Sequence, residues 1–121
     1  MELKEYQERA MTTCMASSNN FSYMFLNLVG EVGEFASKVA KFIRKDKAVI
    51  DNDILMMCGC HTNDVEELKK EAGDILWQLS GLCTVMGWSL EEVAKQNLDK
   101  LAARKAIGTI DGNGDGIIRD K

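Results

Sequence analysis

Glu31 and Glu34 stand three residues apart in the run Gly30-Glu31-Val32-Gly33-Glu34, and Glu71 and Asp74 repeat that spacing in Glu71-Ala72-Gly73-Asp74. On helices, each pair lies one turn apart on a single face. If the two helices face each other, four carboxylates converge on one point. Like charges held together raise each other's pKa values, so such a pocket is unfavourable without a cation. Hard divalent ions such as Mg²⁺, with Mn²⁺ as a substitute, prefer oxygen ligands of this kind. A single E-x-x-E is ordinarily the solvated face of an amphipathic helix. Two copies, each with Gly beside an acid, favour a site. A Gly inside a helix costs about 1 kcal/mol relative to Ala, so Gly30, Gly33 and Gly73 imply close backbone approach at the acidic faces.

Two long helices must position these residues. The first of them reads as about 21 to 44, with Phe25, Leu28, Val32, Phe35, Val39 and Phe42 on its apolar side. Glu31, Glu34, Lys38 and Lys41 form one stripe of it. Lys38 and Lys41 either pair with Glu34 along the helix or contact phosphate beside a metal. The second long helix begins near Asn63, which with Glu66 resembles a capping box, and ends at Gly87. Leu68, Ile75, Leu79, Leu82 and Met86 are its apolar spine. Glu71, Asp74 and Gln78 make the opposing polar line. A shorter helix over 2 to 15 precedes the pair, after which Ala16 to Asn20 is a polar break. A last helix opens on the capping box Ser89-Leu90-Glu91-Glu92 and runs to about Ala106, stopped by Gly108. On its surface Asn97, Lys100 and Arg104 share one face. The expected architecture is all-α, a four-helix, bundle-like single domain over 1–121. A long loop over 45 to 61 joins the second and third helices, and 109–121 is a Gly-rich tail.

Gly30-Glu31-Val32-Gly33-Glu34 and Glu71-Ala72-Gly73-Asp74-Ile75-Leu76-Trp77 closely resemble the two halves of the metal-binding signature of the MazG-like all-α nucleoside triphosphate pyrophosphohydrolases. The resemblance covers roughly residues 20 to 120. It implies hydrolysis of a (deoxy)nucleoside triphosphate to monophosphate and pyrophosphate, as in nucleotide-pool clean-up. It implies that Glu31, Glu34, Glu71 and Asp74 hold Mg²⁺ and carry the catalysis. In that family an Asn-x-x-Lys on the last helix contributes to the site, and Asn97-Leu98-Asp99-Lys100 matches it. Lys38, Lys41, Lys100 or Arg104 would then hold phosphate oxygens. The stretch 35 to 70 between the halves is longer than the family's usual gap. Two other readings stay open. One is a phosphoribosyl-ATP pyrophosphohydrolase-like enzyme of similar fold, which Gly-Glu-Val-Gly-Glu fits less well. The other is a non-enzymatic helical dimer module.

Composition bounds the remainder. The chain has 121 residues, 45% of them hydrophobic, enough for one domain with a small core. A core of that size favours a homodimer or homotetramer. A net charge of −4 argues against a nucleic-acid surface. No apolar run approaches the ~20 residues of a membrane span. Met1 to Glu8 carries mixed charge, unlike a secretion signal. The four Cys therefore read as reduced thiols, and the expected location is the cytoplasm. The absence of Pro suits a helical chain.

Three features compete with this reading. Cys58-Gly59-Cys60-His61 looks like part of a zinc site but lacks a second ligand pair. Ile54 to Met57 reads as an apolar helical turn against the core or a partner. Asp111-Gly112-Asn113-Gly114-Asp115-Gly116 matches the first half of a calcium-binding EF-hand loop, without its twelfth ligand or exit helix. The same tail resembles a Gly-rich ending in phage-type members of the family, where Gly114, Asp115 and Arg119 would form a flap near the phosphates. For a nucleobase platform, Trp77, Trp88, Phe21 and Tyr23 remain equal candidates, with core packing as the alternative.

Overall fold

A computed structural model describes residues 1–58 and 62–108 of the chain. Cys60, His61 and the 109–121 tail, with its calcium-loop-like run and its proposed flap, lie outside the described residues. The elements are α1 (Leu3–Met11), a 3₁₀ turn (Ala16–Ser18), α2 (Phe21–Arg44), β1 (Ala48–Asp51), β2 (Ile54–Met57), α3 (Thr62–Val85) and α4 (Leu90–Ala106). The four expected helices are all present. Helices α2 and α3 form the main packed pair. Helix α1 lies on α3, and α4 meets both α1 and α3.

Local chemistry sets the helix ends. The Asn20 side chain accepts a 2.8 Å hydrogen bond from the Tyr23 N–H and caps α2. Ser89 accepts from the Glu92 N–H at 3.2 Å, so the α4 cap forms as the sequence predicts. Gly87 (φ 74°) and Gly108 (φ 76°) take the left-handed conformation that terminates a helix. Helix α1 stops at Met11, short of the expected residue 15. There the Thr12 and Thr13 hydroxyls donate to the Arg9 and Ala10 carbonyls at 2.6 Å, competing with the backbone ladder. Helix α3 begins at Thr62, so Asn63 sits inside its first turn instead of capping it.

The connection expected as a long loop contains a β-hairpin. Ala48 pairs with Met57, and Asp51 with Ile54. Asn52 (φ 51°) and Asp53 (φ 63°) are both left-handed, the geometry of a two-residue type I′ turn. Ile54–Met57 is therefore a strand, not a helical turn. Four residues cannot sustain a helix, whereas Val49, Ile50 and Ile54 favour extended backbone.

The core is small. Among the described residues Met24, Phe42, Ala48, Cys83 and Leu90 are its buried apolar members. Of the predicted α2 stripe, Phe42 is buried and Leu28, Phe35 and Val39 are half-buried. Phe25 and Val32 are exposed, at 44% and 51%. The glycine expectation also needs correction. A Cβ at Gly30, Gly33 or Gly73 would meet nothing within 4 Å. The close approach occurs at Gly81, where a Cβ would collide with the fully buried Met24 thioether.

That contact yields a reversal of sign. Gly81→Ala should destabilise the wild-type chain by about 1–3 kcal/mol through overpacking. Met24→Ala should cost about 2–5 kcal/mol. In the Met24→Ala background, Gly81→Ala should instead recover stability, because the new methyl fills the vacated space and favours helix. Urea unfolding of the three variants checks this, and a destabilising Gly81→Ala in both backgrounds would refute it.

Candidate metal centre

The packing of α2 on α3 places Glu31 against Glu71 and Asp74. Each of these three carboxylates offers an oxygen within 4.8 Å of the others. Glu31 and Glu71 are half-buried and Asp74 is exposed. Burial first, then the charges of Asp74, Glu71 and Glu34, push the Glu31 carboxyl above its ordinary range. An all-oxygen set of three carboxylates suits a divalent cation, hard ions foremost.

Glu34 lies outside this group of three. It is exposed, one turn along α2, though near enough for its charge to act on Glu31. Lys38 pairs across to α3 and not along α2 with Glu34. Its ammonium lies 3.4 Å from a Glu67 oxygen and 3.7 Å from a Glu71 oxygen, bridging α2 to α3. Burial would lower its pKa, but Glu67 and Glu71 outweigh that and hold it above its usual value. Lys41 is exposed on the following turn. Asn97 and Lys100 line a shallow groove of ≈ 290 Å³ with Val93 and Gln96 on α4, and none of the three clustered carboxylates lines it. Arg104 is buried in the last turn of α4.

Three further residues belong to this neighbourhood. Glu67 is the second anchor of Lys38; its i, i+4 relation to Glu71 was a visible sign. Tyr6 comes from α1, and its phenol is held above the usual range by burial and then by the charge of Asp74. Nothing local in the sequence announces that approach. Gln78 follows Asp74 by four residues on α3. It is 8% exposed, and its Oε1 is buried with no hydrogen-bond partner. An unpaired acceptor of this kind costs about 1–3 kcal/mol.

Among the nucleobase candidates, Trp77 donates its indole N–H to Ala10 O at 3.2 Å and Thr13 Oγ1 at 3.0 Å, tying α1 to α3. Trp88 is 51% exposed, beside a cavity of ≈ 420 Å³ that it shares with Glu92 and Gln96. The Phe21 ring stacks on Phe25 at 5.6 Å. Cys58 is an unpaired, half-buried thiol.

Residues 19–107 match the family model of the MazG nucleotide pyrophosphohydrolase domain. The chain belongs to that family. It is also 35% identical over 99 residues to the Gene 37 protein of Mycobacterium phage L5, covering 82% of this chain and 78% of that one. No solved structure matches it. The match includes both carboxylate-bearing helices and α4, and leaves α1 outside. No helix among the described residues is long and apolar enough to cross a membrane.

The raised Glu31 carboxyl sets a pH dependence. Its native pKa exceeds its ordinary 4.5, so the folded chain binds the extra proton first. Its contribution is nil below the unfolded value and becomes a penalty as pH rises through the native value. Metal-free Glu31→Gln should therefore melt higher than wild type at neutral pH, and the gap should close as pH falls towards about 4. Thermal melts in chelator across that range check it; a gap independent of pH would assign the effect to packing.

Proposed function

We propose that this chain hydrolyses (deoxy)nucleoside triphosphates to the monophosphate and pyrophosphate in a divalent-metal-dependent reaction, with Mg²⁺ as the working ion. The observation that carries this reading is the convergence of Glu31, Glu71 and Asp74 within 4.8 Å on two facing helices. Membership of a pyrophosphohydrolase family supports the choice of bond. Nucleotide-pool clean-up in the cytoplasm is the setting such a reaction suits.

Glu31, Glu71 and Asp74 would hold the ion, with Glu34 beside them on the next turn of α2. The ion supplies positive charge against the triphosphate and acidifies water. Glu34, exposed and outside the group of three, would orient the attacking water and take its proton. Lys38 fixes the Glu71 carboxylate through its 3.7 Å ion pair and places positive charge beside the departing pyrophosphate. Lys41, exposed one turn on, supplies a second cation.

Asn97 and Lys100, exposed on α4, would contact phosphate as part of an assembly, whereas Arg104 is buried. Phe21, Phe25, Val29 and Val32 form one stripe along α2, and each is 44–59% exposed. A second copy covers that stripe, and its α4 completes the site with Lys100. The exposed Val49, Ile54 and Met56 on one face of the hairpin extend the apolar surface. The working form is thus a homodimer or homotetramer.

Two measurements test these statements. Pyrophosphate release should require Mg²⁺ across a panel of ribo- and deoxynucleoside triphosphates that also includes phosphoribosyl-ATP. Glu31→Gln, Glu34→Gln, Glu71→Gln and Asp74→Asn should each lower turnover on the order of a hundredfold or more. Near wild-type rates in two of them would sink the assignment. In light scattering the chain should be at least a dimer, and Val29→Asp with Phe25→Asp should yield monomers. A monomeric wild type would remove the second copy from the site.

A further inference from the structure

Glu71 takes part in two arrangements at once. With Glu31 and Asp74 it makes the carboxylate cluster. It also lies 3.7 Å from the Lys38 ammonium, which is 3.4 Å from Glu67. Glu67 and Glu71 are one turn apart on α3, so a single ammonium reaches both. Lys38 comes from α2, seven residues after Glu31 and on the same stripe. Its two contacts differ. The one to Glu67 is a hydrogen bond, and the one to Glu71 is longer. The Glu67 side chain is 50% exposed, the Glu71 side chain only 15%. Among the described ion pairs, Lys38 to Glu71 is the one that reaches a member of the cluster. Lys38 therefore offsets part of the repulsion among the three acids.

A divalent ion takes carboxylate oxygens at about 2.0–2.6 Å, closer than this ammonium stands. An ammonium on the same carboxylate would then face a doubly charged neighbour, so Glu71 cannot serve both equally well. We propose that Lys38 is a placeholder cation which Glu71 exchanges for the divalent ion, and that Glu67 is the positioning residue which retains Lys38 through the exchange. This rests on the metal-dependent reading of the cluster. The Lys38 pair fixes Glu71 before metal binds and yields when it does. Glu67 lies outside the cluster, so its pair with Lys38 survives. The ammonium stays at the α2–α3 seam, where a phosphate oxygen takes up the charge that Glu71 released. Without Glu67, Lys38 would turn wholly to Glu71 and compete harder with the ion. Glu67 thus raises metal affinity through Lys38, without being a ligand.

The test is titration of the nucleotide-free chain with Mn²⁺, the free ion being read by electron paramagnetic resonance. Lys38→Met should tighten Mn²⁺ binding by about fivefold or more, the low end of coupling between two ligands. Lys70→Met removes an exposed charge next to Glu71 in sequence, and should change affinity by less than about twofold. Glu67→Gln should weaken binding by about fivefold in the wild-type background and by less than about twofold in the Lys38→Met background. Melting gives a second readout. Lys38→Met should melt below wild type without metal, and saturating Mn²⁺ should close or reverse the gap. These ion pairs are partly exposed, so the variants should fold; Lys38→Gln repeats the comparison if Lys38→Met does not. Unchanged or weaker Mn²⁺ binding in Lys38→Met, or a melting gap that metal leaves alone, would overturn the exchange. Equal losses from Glu67→Gln in both backgrounds would overturn the role of Glu67. Either result leaves the hydrolase reading intact, whereas a wild-type chain that binds no Mn²⁺ would overturn both.

Discussion

The fold is built around a repulsion. Helices α2 and α3 are packed together over much of their length, and at one level of that packing Glu31, Glu71 and Asp74 are forced towards one another. Burial and then the charges of Asp74, Glu71 and Glu34 push the Glu31 carboxyl above its ordinary range. Apolar contacts elsewhere along the two helices must hold the acids together. Lys38 helps at the edge of the cluster by tying Glu67 and Glu71 across the interface. Its two ion pairs are only partly shielded, so they orient the side chains more than they stabilise the chain. A divalent cation would turn the same proximity from a cost into a binding energy.

Much of this was legible in the chain itself. The i, i+3 carboxylate pairs, the Ser89 cap and the terminal glycines Gly87 and Gly108 are local signals, and local hydrogen bonding or backbone freedom suffices to realise them. The hairpin was less visible, since Asn52-Asp53 is a weaker turn signal than a glycine-containing pair and its strands have four residues each. The three glycines beside the acids misled for a different reason. Their composition suggested close packing, but their environment is open, and the contact falls at Gly81 because Met24 on α2 happens to face it. The exposed side of α2 was misjudged because hydrophobic periodicity finds an apolar face without saying whether this chain or another covers it. The approach of Tyr6 was not legible, and Gln78 was legible only as part of the polar line with Glu71 and Asp74. One is brought in by tertiary packing, and the other is defined by a hydrogen bond it does not make.

Helix α1 gives the fold much of its polar organisation although it lies outside the matched family region. Gln7 donates to Thr84 Oγ1 at 2.9 Å and to Trp88 O at 3.0 Å, and accepts from the Leu90 N–H at 2.9 Å. One side chain thus fastens α1 to the end of α3 and the start of α4. Towards the C-terminal end of α1, the Trp77 indole donates to Ala10 O and Thr13 Oγ1. Contacts at the middle and the C-terminal end of α1 thus fix it against α3 and α4.

The same economy of structure explains why so much of α2 is apolar and uncovered. A chain whose buried apolar core comes down to a few side chains cannot spare its longest helix for one purpose. One face of α2 packs on α3, its acidic stripe makes the cluster, and Phe21, Phe25, Val29 and Val32 are left to water. Exposed apolar stripes of that length are unfavourable in an isolated domain and useful at a contact. Val32 follows Glu31 about 100° round the helix, so a surface laid over the stripe borders the face that carries Glu31 without covering it. Covering Val32 would dry the neighbourhood of Glu31 and sharpen its repulsion with Asp74 and Glu71, because charges interact more strongly as water is removed. Assembly would then raise the gain from cation binding, and cation binding would lower the cost of assembly. Coupling of this kind follows from two functions sharing one helix and needs no moving part.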